Sequence, residues 1–99
     1  MKMKLIYEGS EGELVMSGRL DTNTAIEAEK ILTDVVGRFD KVVLNMRELE
    51  YVSSAGLRAL RRAQIELRRK GGTLILKDVA PTVMELFEIT GFAATCKFA

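Results

Sequence analysis

Residues 41–46, KVVLNM, set three apolar side chains, Val42, Val43 and Leu44, in a row between two stretches of helical periodicity. A half-exposed strand alternates apolar with polar, whereas a short, β-branched, unbroken apolar run reads as a strand covered on both faces. The run therefore predicts a central strand with neighbours on both edges. A helical bundle is excluded, and a layered α/β fold is what remains.

The flanking segments fit that frame. Residues 3–9 and 12–19 alternate in part around Gly9, Ser10 and Gly12, which predicts a hairpin. Thr24 with Glu27 has the spacing of a capping box, and Ala28, Ile31, Leu32, Val35 and Val36 share one face, so a helix is expected from about residue 25 to 36, stopped by Gly37. After a loop at residues 47–54, in which Tyr51 and Val52 read as the end of something extended, a second helix over 55–70 places Leu57, Leu60, Ala63, Gln64 and Leu67 on one stripe before Gly71 and Gly72. Residues 73–77, TLILK, read as a buried strand. A third helix carries Pro81 in its first turn and an inner face of Val83, Leu86, Phe87 and Ile89, and ends at Gly91. The tail 94–99 adds a last short edge strand. The order β, β, α, β, α, β, α, β describes one α/β domain over residues 1–99, its four to five strands mostly parallel after the first hairpin, with three main helices.

Composition removes whole classes of function. The 99 residues hold no histidine, so neither a Ser-His-Asp nor a Cys-His nucleophile can be assembled, nor an imidazole metal ligand. Cys96 is the single cysteine and has no partner for a disulfide or a thiolate metal site. No metal and no cofactor is expected, and an enzyme is not. A net charge of +1 gives no overall attraction to a polyanion, and no run approaches the ~18 apolar residues of a membrane span. The expected setting is the cytoplasm, without membrane insertion, and a small closed domain of this kind is expected to be a monomer.

The second helix carries Arg58, Arg61, Arg62, Arg68, Arg69 and Lys70 against one acidic residue, Glu66. Without interleaved aromatics or a polybasic tail, this stripe reads as a solvated face, not a nucleic-acid surface, with an acidic protein partner between the two. Phe87, Phe92, Phe98 and the five methionines read as core and edge packing.

Functional residues in open α/β sheets gather at the C-terminal ends of strands, where residues 21–24 and 53–56 fall. Residues 51–58, YVSSAGLR, place two adjacent hydroxyls, Ser53 and Ser54, at a helix start, with Gly56 allowing close approach. One of them capping the helix would contribute about 1 kcal/mol. The same unpaired N–H groups and dipole would favour an attached phosphate by roughly 0.3–1 kcal/mol.

Together GRLDTNTA, VVLNM, YVSSAGLR, KGGTLIL and ELFEITGF, in this order and spacing, resemble the STAS family, the bacterial anti-sigma factor antagonists and related domains of sulphate transporters. The resemblance implies a partner switch. In such proteins the unphosphorylated antagonist binds an anti-sigma factor that is also a serine kinase, so freeing a sigma factor for transcription. Phosphorylation in the turn before the second helix weakens binding, and a metal-dependent serine phosphatase reverses it. The family pattern is Asp-Ser-Ser-Gly or Asp-Ser-Thr-Gly; aligned on Gly56, this chain has Ser53 for the Asp, Ser54 at the first hydroxyl and Ala55 at the second. The implied phosphorylation site is Ser54, with Ser53 the alternative. The implied partner surface is Asp21, Thr22, Asn23, Ser53, Ala55, Gly56, Leu57 and Arg58, with the Asp21 loop beside the serine turn. Two rival readings are a STAS-type accessory subunit of a transporter or signalling assembly, not switched by phosphate, and a small enzyme using Ser54 as nucleophile.

Overall fold

A computed structural model describes residues 1–99. The chain runs β1 (Lys2–Glu8), β2 (Glu11–Leu20), α1 (Ala25–Arg38), β3 (Lys41–Val52), α2 (Ser54–Arg69), β4 (Thr73–Lys77), α3 (Pro81–Ile89), a 3-10 turn (Ala93–Thr95) and β5 (Lys97–Phe98). The strands lie in sequence order in one sheet, β1 antiparallel to β2 and the other three pairings parallel. The expected hairpin, central β3 and α/β alternation are all present.

Leu14, Leu44 and Leu76 stand side by side in register on one face of the sheet. There they join Leu32, Val35 and Val36 of α1, Leu60, Ala63 and Leu67 of α2, and Val83 and Phe87 of α3 in a single cluster of 22 buried residues. The Phe87 and Phe92 rings meet edge to face with centroids 5.0 Å apart. The helical layer thus lies on one side. The expectation that residues 41–46 are covered on both faces is not met: Val43, between Glu13 and Ile75 in register, is half-buried. Its face carries a polar lattice, in which Asn45 Nδ2 donates to Glu13 Oε2 at 3.0 Å and Lys77 Nζ lies 3.8 Å from the same carboxylate. The stems of these long side chains shield the apolar row while their polar ends stay in water.

The larger correction concerns residues 47–50, expected to be loop and found, together with Tyr51 and Val52, expected to end an extended stretch, as the second half of β3. Two register shifts against β2 each fit an extra β3 residue, after Asn45 and after Leu49. Such bulges move the buried positions to Met46, Leu49 and Val52, a spacing of three that hides the strand from a search for alternation. The extension carries β3 well past β4, whose pairing stops at Asn45 with Lys77, and delivers the chain to the start of α2.

Helix ends differ from expectation in small ways with clear causes. The helix α1 runs through Gly37 to Arg38 and ends where Phe39 turns extended and buries its ring. At the end of α2, Gly71 takes φ +82° and donates to Arg68 O, while Gly72 N–H donates to Leu67 O at 2.8 Å, the paired closure that a left-handed glycine permits. Ile89, expected on the inner face of α3, is 75% exposed; Val83 and Phe87 supply that face, with Leu86 half-buried. The half-buried Cys96 thiol is pushed above its ordinary pKa by burial. No helix is long and apolar enough to cross a membrane.

Candidate functional site

Leu20 and Val52 are register partners at the ends of β2 and β3, so the two chains leave the sheet side by side. Ser53 N–H donates to Leu20 O at 2.8 Å, which fixes the serine turn against the end of β2. The Ser53 Oγ accepts from Gly56 N–H at 3.1 Å and its carbonyl accepts from Leu57 N–H at 2.8 Å, so Ser53 is the cap of α2. Ser54 is the first residue of the helix; its side chain is exposed and its hydroxyl makes no hydrogen bond to the protein. Of two neighbouring hydroxyls, one is consumed by the fold and one is free. No carboxylate or lysine is paired with the free one, as activation of a nucleophile would require.

Gly56 is buried because β2 passes directly over it. A Cβ there would lie 2.6 Å from both Leu20 O and Leu20 Cγ, so no larger residue fits without moving backbone. Ala55 and Leu57 are half-buried beside it, and Arg58, one turn beyond Ser54, is exposed.

The second loop leaves the same end of the sheet. Asp21 Oδ1 accepts from Asn23 N–H at 3.0 Å and Thr24 N–H at 3.1 Å, while Thr24 Oγ1 accepts from Asp21 N–H at 2.9 Å and donates to Arg19 O at 2.8 Å. The expected Thr24–Glu27 capping box does not form, since the Thr24 hydroxyl is turned back to β2; Asp21 instead takes the N–H groups of Asn23 and Thr24, just before the helix, on its carboxylate and that of Ala25 on its backbone carbonyl at 2.9 Å. These bonds, Thr24 N–H foremost, hold the Asp21 carboxyl below its ordinary pKa against the opposing effect of partial desolvation, with the Arg19 charge assisting. The loop is thereby a preformed, anionic feature, with Thr22 and Asn23 exposed at its tip.

Around the two loops lie groups that the sequence did not assign to the partner surface. The Arg19 guanidinium stacks 4.2 Å above the Tyr51 ring, its cross-strand partner, and Tyr51 stays 41% exposed. Ile26, in the first turn of α1, is 68% exposed. Its position off the Ala25–Ala28–Leu32 face was the one available signal. Glu50, Thr82 and Leu86 border a shallow depression that includes Ser54.

An exposed hydroxyl at a helix start, an anionic loop and a few exposed apolar side chains thus lie at the same end of the sheet. The description "STAS domain" belongs to the family model that matches residues 5–99. The chain belongs to the STAS family. This STAS domain is 37% identical over 94 residues to BtrV of Bordetella bronchiseptica, which is named as an anti-sigma factor antagonist; the match covers 91% of this chain and 80% of BtrV. Its fold is that of SpoIIAA, an anti-sigma factor antagonist of Bacillus. The unphosphorylated form superimposes with a TM-score of 0.84 at 19% identity over 99% of this chain and 88% of that one. The phosphorylated form gives 0.77 at 19% identity over 99% and 91%. This STAS domain therefore stands with relatives named as anti-sigma factor antagonists.

Proposed function

We propose that this STAS domain, one domain over residues 1–99 working in the cytoplasm, binds an anti-sigma factor through the Ser54 turn and the Asp21 loop, and is released from it by phosphorylation of Ser54. The observation that carries the reading is the division of labour between the two serines: Ser53 Oγ is engaged with Gly56 N–H, and Ser54 Oγ is exposed and unengaged. A serine without an imidazole is a poor nucleophile, but a kinase supplies its own base and metal-bound ATP, so that Ser54 Oγ takes the γ-phosphoryl group, its proton passes to the kinase and ADP leaves. The partner is accordingly an anti-sigma factor with serine kinase activity, and a serine phosphatase restores the free hydroxyl.

The phosphate adds about −1.5 to −2 charges. The N–H groups at the start of α2 accept that charge, whereas the Asp21 carboxylate and a closely packed partner surface oppose it. Binding is lost by local repulsion and desolvation, with the fold kept. Incubation with the anti-sigma factor and ATP, followed by mass spectrometry, is expected to place one phosphate on Ser54. Calorimetry is expected to find Ser54→Ala binding like wild type and Ser54→Asp weakened by at least about tenfold. Equal binding by Ser54→Asp, or a phosphate found only on Ser53, overturns the reading.

A further inference from the structure

The basic residues of α2 have different fates. Arg62 pairs with Glu29 across to α1, Arg69 pairs with Glu66, and Arg68 donates to Thr95 O near the C-terminus. Arg58 and Arg61 have no acidic partner, and both are exposed. At about 100° per residue, Ser54, Arg58, Arg61 and Ile65 fall within an arc of about 60°. That arc lies opposite the buried residues Gly56, Ala59, Leu60, Ala63, Gln64 and Leu67. They form the outer crest of the helix, about 16 Å long. It begins at the free hydroxyl, continues through two unpaired guanidiniums and ends on Ile65, which is 43% exposed.

We propose that this crest is a docking surface for an acidic patch of the anti-sigma factor, extending the contact made at the Ser54 turn; it rests on the reading of the preceding subsection. The fold itself shows the complementary arrangement, since the flank of α2 that meets α1 satisfies Arg62 with a glutamate on the neighbouring helix. A second acidic helix or loop laid along the crest would do the same for Arg58 and Arg61, with Ile65 giving an apolar contact at the far end. A nucleic acid fits less well. The free cations are only two, the crest ends on an aliphatic side chain, and α2 has no aromatic residue on which a base would stack.

The test compares two charge reversals of equal size by calorimetry against the purified anti-sigma factor. One is Arg58→Glu with Arg61→Glu on the crest; the other is Lys2→Glu with Lys4→Glu on the β1 edge, also exposed. Circular dichroism and thermal melting establish that each variant is folded. The crest reversal is expected to weaken binding by about tenfold or more and to flatten its salt dependence, and the edge reversal by less than about twofold. Ile65→Ser, which removes no charge, is expected to weaken binding with the salt dependence unchanged. The proposal is overturned if the two reversals act alike, if the crest reversal binds like wild type, or if it loses only affinity for a DNA duplex. In those cases a weakened Ser54→Asp leaves the partner-switch reading standing, whereas a wild-type chain that does not bind, or an unaffected Ser54→Asp, ends both.

Discussion

Ser53 and Ser54 have the same chemistry and opposite situations, and their variants should part accordingly. Ser53→Ala removes the cap of α2 and is expected to cost about 1 kcal/mol in urea unfolding, while Ser54→Ala should stay within about 0.5 kcal/mol of wild type. Gly56→Ala places a methyl group against the backbone oxygen of Leu20 and is expected to destabilise by about 1–3 kcal/mol. The doubled serine and the following glycine were visible in the sequence as a candidate site. Which serine is free was not, because that depends on where the end of β2 lies relative to α2, a contact between residues far apart in the chain. Asp21 carries a pH dependence whose sign follows from its lowered pKa. The ionised carboxyl is favoured in the folded state, so its contribution is complete above the unfolded value of about 3.9 and is lost as pH falls through the lower folded value. Asp21→Asn should flatten the acid limb of stability measured by urea titration between pH 5 and 2.

At the scale of elements, the alternation of strands and helices was legible because it rests on periodicity, and the stops at Gly71 and Gly91 because glycine at positive φ has a local cause. The second half of β3 was not. Its bulges replace a spacing of two by a spacing of three, and only the register against β2 shows why Leu49 and Val52 face inwards. Gln64 illustrates a similar limit: its place on the apolar stripe of α2 was clear, its task was not. It is the single buried polar residue, and its Nε2 donates to Thr95 O at 3.0 Å, binding the end of the chain to α2. Gln64→Leu keeps the burial and removes the donor. Arg68 still reaches Thr95 O, so the expected loss is modest, about 1 kcal/mol, with faster amide exchange confined to residues 93–99. Faster exchange spread over β3 and β4 would show that Gln64 supports the sheet instead.

For the whole molecule, the position of Ser54 decides what a phosphate can and cannot disturb. The buried cluster lies on the opposite side of α2, between that helix and the sheet, and no member of it is within the exposed crest that Ser54 begins. The helix start is closed by Ser53 Oγ, which accepts from Gly56 N–H, and not by the Ser54 hydroxyl, so a phosphate on Ser54 replaces no hydrogen bond of the fold. The added charge meets the N–H groups of the first turn, a favourable contact, and the anionic Asp21 loop, an unfavourable one. The two are opposite in sign and each is modest at an exposed, screened surface, so the net effect on stability should be small while the effect on a partner pressed against both loops should be large. Phosphorylated protein is therefore expected to melt within about 3 °C of the unmodified form, with unchanged exchange in β2, β3 and β4, and yet to lose its anti-sigma factor. A phosphate that lowered the melting temperature by ten degrees or more, or opened α2 to exchange, would mean that release comes from unfolding and not from a changed surface.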